Sequence, residues 1–204
     1  NTGIQFEVEH AMSESNVAIK TFEFKLRPNK AFESAAAATL EHCRQLYNAA
    51  LQERIGCYKL TGKGLSYFTQ SKHLTEARTL PDVKDYLRQI QQDTLKRLDL
   101  AYAAFFRRAK AGETPGFPRL KGIDRFHSFG QQIEVQRPCP LRGEVLRVPG
   151  VGSVRVRLSR PVEGKVKHLI ISRRADGWYA LLVCEIAKPA PLPETGDSVG
   201  IDVG

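Results

Sequence analysis

The fold is decided by the stretch KTFEFKLR at residues 20–27, which Pro28-Asn29 follows. Its apolar residues, Phe22, Phe24 and Leu26, alternate with charged ones. This period of two predicts a strand with one buried face, and the proline ends it. A single strand of this kind is not stable alone, so it must pair with strands elsewhere in the chain.

A helical region of about 90 residues separates this strand from its partners. Apolar residues recur at spacings of three and four over 40–58, and Gly62 ends that helix. A shorter helix is expected over 66–78, followed by a third helical segment over 81–110. Because the third segment exceeds ordinary helix lengths, we expect a break near Asp93-Thr94.

The alternating pattern returns from about Ile133 onward. Strands are expected over 153–158, 165–173 and 178–187, with Asp176-Gly177 as a hairpin turn. The early strand is expected to pair with these later ones in one small antiparallel β-barrel, so that the helices form an insertion. The sequence therefore predicts an α+β fold.

The same pattern divides the chain into five expected parts. They are a flexible leader over 1–19, the first barrel strand over 20–28, a helical domain over 29–122, the rest of the barrel over 123–193, and a linker with the start of a new apolar strand, which opens a further domain, over 194–204. The only methionine is Met12. We expect it to be the natural start, with residues 1–11 as an appended segment.

The positive charge is concentrated in one part of the chain. The whole sequence carries a formal charge of +9, whereas residues 105–174 contain 16 Lys and Arg against five Asp and Glu. A concentration of this kind indicates a polyanionic partner such as a nucleic acid. A solvated basic face remains the alternative.

The sequence lacks the motifs of several other functional classes. No apolar run is long enough to span a membrane, and no phosphate-binding glycine loop or catalytic triad is readable. Cys43, Cys57, Cys139 and Cys184 stand apart without ligand spacing, so we expect no zinc site and reduced thiols. A cytoplasmic protein fits this pattern best.

Aromatic and basic residues alternate after the third helical segment. Phe117 offers a stacking surface, and Arg119 and Lys121 offer phosphate contacts. A loop held by buried phenylalanines is the alternative. A row of arginines is formed by Arg155 and Arg157, with Arg160 just beyond. Such a row can contact a phosphate backbone. The alternative is that its charges protect an exposed sheet edge from pairing with other chains.

Six segments together resemble the N-terminal half of the TnpB (OrfB) family, which comprises transposon-encoded RNA-guided nucleases related to type V CRISPR effectors. They occur in the family's order, and each is short when taken alone. The segments are FKLRPN at 24–29, LYNAAL at 46–51, YKLTGKGLSY at 58–67, AYAAFFR at 101–107, GFPR at 116–119 and VGIDVG at 199–204.

The resemblance implies an architecture in which a wedge barrel is interrupted by a helical recognition domain and followed by a RuvC nuclease domain of RNase H fold. Asp202 matches the first catalytic aspartate of that domain and would bind Mg²⁺ together with two downstream acidic residues. Because the chain stops before those residues, we expect it not to cleave DNA without the rest of its nuclease domain.

The resemblance also implies two partners, a guide RNA and double-stranded target DNA. The resemblance implies that a short target-adjacent DNA motif is read by four residues, Tyr67, Ser71, Gln92 and Gln131. Residues expected to hold the backbone of the guide RNA or heteroduplex are Arg107, Arg108, Lys110, Arg119, Lys121, Arg155, Arg157, Arg173 and Arg174.

The expected function is therefore the nucleic-acid-binding half of a TnpB-like RNA-guided DNA endonuclease, associated with a prokaryotic nucleoid. Within the same lineage, a miniature type V CRISPR effector or a nuclease-dead RNA-guided repressor stays open. From other classes, a helix-turn-helix DNA-binding module without RNA and a ribosome-associated RNA-binding protein also stay open.

Overall fold

The computed structural model describes residues 17–133 and 139–188, apart from the Asp124 side chain. Seven strands, four α-helices and one 3₁₀ turn follow each other along this part of the chain. They are β1 (Val17–Arg27), α1 (Lys30–Thr61), α2 (Tyr67–Ala77), α3 (Pro81–Lys84), α4 (Arg88–Lys110), the turn Ile123–Arg125, β2 (Ser128–Gln132), β3 (Leu141–Arg142), β4 (Val145–Val148), β5 (Gly152–Val156), β6 (Lys165–Arg174) and β7 (Gly177–Ala187).

All seven strands belong to one antiparallel sheet in the order β2-β6-β7-β1-β5-β4-β3. Strand β1 lies in the middle, where Val17 to Lys25 pair with β7 and Leu26 and Arg27 pair with β5. This pairing confirms that the early strand joins the late ones across the helical insertion. The sheet curls into a half-barrel, and its edge strands β2 and β3 do not pair with each other among the described residues.

The buried face of the sheet is built from cross-strand rows of apolar side chains. One row runs through Phe24, Ala180, Ile171 and Phe129, which lie opposite each other on four neighbouring strands. Each of these side chains is at most 2% exposed. The period of two in the sequence therefore marks the core face correctly, as expected for a sheet with one covered side.

Helix α1 takes part in two separate cores. Its first half places Phe32, Leu40 and Cys43 in the core of the half-barrel. Its second half places Tyr47 and Leu51 in a smaller core shared with α2 and α4. The 32-residue helix therefore connects the sheet to the inserted helices as one continuous element.

The ends of the first two helices follow the sequence signals. Asn29 caps α1 by accepting a hydrogen bond from the Phe32 backbone N–H at 2.8 Å, and Ser66 caps α2 in the same way through Thr69. Gly62 ends α1 with φ of 68°, a left-handed conformation that favours glycine.

The predicted break near Asp93-Thr94 is wrong, because α4 runs through it and the interruption lies at 85–87. Arg97 stabilises the helix there by an ion pair one turn from Asp93, at 2.8 Å. The helical segment is interrupted at 85–87 instead, where tertiary contacts hold the chain in a non-helical conformation. The Tyr86 ring stacks on His42 with centroids 3.8 Å apart, and Leu87 packs on the half-barrel core.

Two strand boundaries also differ from the prediction. The hairpin between β6 and β7 is confirmed, but its two turn residues are Ala175 and Asp176, since Gly177 already pairs with Arg174. Strand β2 lies at 128–132, before the position where the pattern was expected to change. Glycine and glutamine residues hide its alternation from a hydropathy pattern.

An ionic joint connects α4 to the sheet. His168 of β6 hydrogen-bonds Asp93 at 3.0 Å, and Arg97 donates to the Ser128 backbone carbonyl at 2.7 Å. Gly130 faces this joint, and a Cβ atom there would lie within about 3 Å of the Asp93, Arg97 and His168 side chains. Helix and sheet therefore approach closely only because residue 130 is glycine.

The connection from α4 to the sheet is fastened to α1 at one point. The Asn48 amide accepts a hydrogen bond from the Lys121 backbone N–H at 2.8 Å and donates one to the Lys121 carbonyl at 2.9 Å. Arg44 donates a further hydrogen bond to the same Lys121 carbonyl.

Within residues 17–133 and 139–188, no helix is both long and apolar enough to cross a membrane.

Replacing Asp93 is expected to make the stability of the fold less sensitive to acid. Burial alone would raise the pKa of Asp93, but the His168 hydrogen bond and the charge of Arg97 together hold the pKa below its ordinary 3.8. The stabilisation is therefore present above pH 3.8 and is lost as the pH falls through the lowered pKa. Asp93→Asn should cost roughly 1–3 kcal/mol of unfolding free energy near neutral pH.

Urea unfolding at several pH values measures this effect. The difference between the wild type and Asp93→Asn should shrink as the pH falls below 3.8. The control is Asp85→Asn, because Asp85 is exposed and forms no ion pair with any described residue. A wild-type-to-Asp93→Asn difference that is the same at every pH would contradict the assignment.

Removing the Asn48 amide is expected to release the connection between α4 and the sheet. Asn48→Ala deletes two hydrogen bonds to Lys121 and should cost roughly 1–3 kcal/mol. Limited proteolysis should then cut residues 112–122 faster than in the wild type. Gln45→Ala serves as the control, because Gln45 is exposed and its amide reaches, among the described residues, the half-buried Glu41 of the same helix. Equal cutting rates in the two variants would argue against the anchor.

Candidate nucleic-acid interface

Two arginines face each other on the outside of the half-barrel. Arg27 at the end of β1 lies directly opposite Arg155 of β5, and both side chains are exposed while their neighbours Leu26 and Val156 are buried. Like charges opposed across a strand pair destabilise a sheet. Their arrangement is explained if a polyanion neutralises them.

Two further arginines extend this pair into a surface. Arg147 on β4 and Arg157 just beyond β5 are exposed, and the Arg157 backbone N–H donates to the Lys25 carbonyl at 2.9 Å. We call Arg27, Arg147, Arg155 and Arg157 the arginine face. None of the four forms an ion pair with any residue in 17–133 or 139–188.

A second basic group lies at the C-terminal end of α4. Arg107, Arg108 and Lys110 are exposed in its last turn, where the helix dipole favours positive charge. Arg108 lies 4.0 Å from Glu113, and its two neighbours form no ion pair among the described residues. Part of this cluster therefore stabilises the helix end, and the rest is available to an anion.

Other predicted phosphate contacts are already engaged within the chain. Arg174 forms two hydrogen bonds to Glu23, at 2.7 and 2.6 Å, and its guanidinium lies 4.4 Å from the Tyr179 ring centroid. The hydrogen bonding to Glu23 raises the pKa of Arg174. The Lys121 ammonium lies 5.8 Å from the Tyr47 ring centroid. The Arg174 and Lys121 side chains thus already interact with Glu23, Tyr179 and Tyr47 of the same chain.

The remaining two predicted contacts differ in their surroundings. Arg119 is exposed in the connection between α4 and the sheet. Arg173 is exposed at the end of β6, where it lines a groove of about 730 Å³ between α1 and the β6–β7 hairpin, together with Arg44. The structure thus leaves both of these arginines accessible.

The residues expected to read a DNA motif are brought together only in part. Tyr67 and Gln92 line the same cavity of about 250 Å³, with Lys96 beside them. The Lys96 ammonium lies 5.3 Å from the Tyr67 ring centroid. Ser71 lies one turn further along α2, half-buried and outside the residues that line this cavity.

Gln131 does not lie at the surface. It occupies the end of a buried cross-strand row with Leu169, Leu182 and Phe22, and its side chain is 2% exposed. Its amide atoms have no hydrogen-bond partner among residues 17–133 and 139–188. Because β2 alternates from Phe129, residue 131 necessarily faces the core, so Gln131 would have to leave it to meet a base edge.

The sequence pattern missed Arg27 and Arg147 as parts of a basic surface. They are separated from Arg155 in the chain and come near it only through the strand register.

The predicted metal ligand Asp202 lies outside the described residues. Within those residues, no group of three or more His, Cys, Asp and Glu side chains is placed to hold a metal ion.

Comparison with known proteins supports one family. Residues 16–63 match the helix-turn-helix domain of the OrfB (IS605) type. The chain is 30% identical over 194 residues to the RNA-guided DNA endonuclease InsQ of Escherichia coli (strain K12), a match that covers 91% of this chain and 45% of that protein. It is 27% identical over 192 residues to an RNA-guided DNA endonuclease of Streptomyces pristinaespiralis, covering 91% and 46%.

The chain thus spans about half the length of the curated relatives it matches. A solved structure, the cryo-EM structure of the Cas12f1–sgRNA–target DNA complex, is similar over 86% of this chain and 49% of that chain, with a TM-score of 0.45 and 15% identity. A likeness of that degree identifies no shared site. The matched domain and the two endonuclease relatives support a member of the TnpB (OrfB) family, of whose relatives this chain matches about half the length.

Proposed function

We propose that this chain is the guide-RNA- and target-DNA-binding part of an RNA-guided DNA endonuclease. The observation that carries the proposal is the arginine face, where Arg27 and Arg155 oppose each other without an acidic partner among the described residues. Two relatives named as RNA-guided DNA endonucleases give the nature of the polyanion.

The half-barrel corresponds in this proposal to a wedge domain, and the helices α1–α4 to a recognition domain. The arginine face and the basic end of α4 contact the phosphate backbone of the guide RNA or of its hybrid with DNA. Contacts to the backbone suffice because base pairing with the guide supplies sequence specificity. Arg119 and Arg173 are accessible for additional contacts.

The cavity at α2 and α4 is the proposed place for reading a target-adjacent DNA motif. Gln92 presents an amide that pairs with base edges, Tyr67 presents a ring and a hydroxyl, and Lys96 adds a positive charge. Ser71 lies close enough along α2 for a backbone contact. Gln131 is not part of this proposed surface, because its side chain is in the core.

Cleavage is proposed to depend on Asp202 and Mg²⁺, on the strength of the sequence motif alone. When bound there, Mg²⁺ would supply Lewis-acid stabilisation of the negative charge that develops at the phosphodiester. Asp202 would be one ligand, and the rest of the nuclease domain would provide the others. This assignment is independent of the binding surface described above.

A DNA-binding module that acts through a helix-turn-helix is less well supported. The residues that match such a domain form strand β1 and the single helix α1. A helix-turn-helix motif needs two helices around a short turn. The matched region therefore does not present a recognition helix of that kind.

Loss of the opposed arginines is expected to reduce the salt dependence of nucleic-acid binding. The probe is a fluorescein-labelled RNA–DNA hybrid of about 20 base pairs, titrated at several salt concentrations and followed by fluorescence anisotropy. Arg27→Gln combined with Arg155→Gln should lower the slope of log K against log salt by about two, since each phosphate contact contributes about 0.9. Unfolding free energy should not fall, because a repulsive pair is removed.

The control removes the same charge from cations that already have partners. Lys20 pairs with Glu163 at 2.9 Å and Lys167 pairs with Glu185 at 2.8 Å. Lys20→Gln combined with Lys167→Gln should leave the slope close to that of the wild type. Equal slopes for both double variants, or no binding by the wild type, would contradict the proposal. If the wild type bound a DNA duplex as tightly as the RNA–DNA hybrid, a DNA-binding module without RNA would be favoured.

A further inference from the structure

Five aromatic side chains line a groove between the ends of α1 and α4. They are Tyr58, Tyr102, Phe105, Phe106 and Phe117, and the groove encloses about 460 Å³. This volume is within the range of small-molecule sites, about 300–1,000 Å³. The connection that carries Phe117 closes one side of the groove.

Three of these rings are too exposed to be explained as core. Tyr58 is 63% exposed, Phe106 61% and Phe117 47%. Large exposed apolar side chains that cluster in a groove are typical of a binding site. Scattered exposed residues need no such explanation, but Phe106 and Phe117 each contact the rings of Tyr102 and Phe105.

The rings are held in fixed relative orientations. Phe117 stands edge-on to Tyr102 and Phe105, with centroids 5.7 and 5.4 Å apart, and Tyr102 stacks on Phe106 at 6.2 Å. The Arg54 guanidinium lies 5.0 Å from the Tyr102 ring centroid. A prearranged set of rings loses little conformational entropy when a planar ligand binds.

The position of Arg54 is itself fixed by buried contacts. Its Nε donates to Gln70 at 2.6 Å and its Nη2 donates to Asp99 at 3.1 Å, while only 7% of its side chain is exposed. The base of the groove is therefore rigid. Arg54 fixes the Tyr102 ring rather than binding a phosphate.

The charge around the groove is positive. Lys59 lines it, together with Arg54 whose charge is paired with Asp99, and no acidic residue is among the described residues that line the groove. The last turn of α4 adds Arg107, Arg108 and Lys110 immediately after Phe106. Aromatic rings bordered by cations are typical of sites for single-stranded nucleic acid, whereas an apolar protein partner does not require the cations.

We propose that this groove holds an unpaired nucleobase of a single strand, stacked on Phe106 and Phe117, with the neighbouring phosphates at the basic end of α4. The proposal rests on the proposed function and adds a base-binding site to it. It differs from the arginine face, which contacts only the backbone. Stacking accepts any base, because every base has an aromatic face.

The test uses a fluorescein-labelled single-stranded RNA of about 12 nucleotides and an abasic strand of the same length. Phe106→Leu keeps an apolar side chain but removes the ring, and should weaken RNA binding roughly 5- to 100-fold. Phe106→Tyr should bind nearly as the wild type does. The abasic strand should bind Phe106→Leu and the wild type equally, and the salt slope should not change.

Leu100→Ala is the matched control, because Leu100 is 57% exposed on the same helix and lies outside the groove. It should leave RNA binding unchanged. A wild type that binds no RNA would defeat the proposed function itself. Wild-type binding that Phe106→Leu does not weaken would overturn only the base-binding groove, and so would self-association of the protein that Phe106→Leu abolishes.

Discussion

The pairing of β1 with β7 and β5 is the constraint on which the rest of the structure depends. Nine residues of β1 pair with β7, and its last two pair with β5. The chain must complete the whole helical insertion and return before these bonds form. Because α1 begins three residues after β1 ends, the position of the helices is set by the same strand.

The second requirement is a firm contact between the insertion and the sheet. Helix α1 shares apolar contacts with both cores, and α4 reaches the sheet through Asp93, Arg97 and His168. Gly130 allows this approach by having no side chain. A recognition surface on helices can act together with one on a sheet only if the two are held in this way, and here apolar packing and an ionic joint hold them.

The distribution of ion pairs separates structural charges from available ones. Arg174, Lys20 and Lys167 have acidic partners and contribute to the surface of the sheet. The arginine face has none among the described residues, and the aromatic groove is bordered by cations. The excess positive charge of residues 105–174 therefore corresponds to several surfaces with different chemistry, and only part of it is free for a polyanion.

The sequence alone determined the features that depend on neighbouring residues. Alternation at Phe22, Phe24 and Leu26 indicated the core face of β1, and Asn29 and Gly62 limit α1 through local hydrogen bonding and backbone conformation. The motifs indicated the family. These signals act over a few residues, so they are readable without the fold.

Only the tertiary structure decided where distant residues meet. The break at 85–87 follows from the stacking of Tyr86 on His42, and Gln131 is buried because the strand register places it beside Leu169. Arg174 is engaged by Glu23, which lies 151 residues away in the chain. Register, burial and ion pairing depend on contacts across the sheet, and no local pattern contains them.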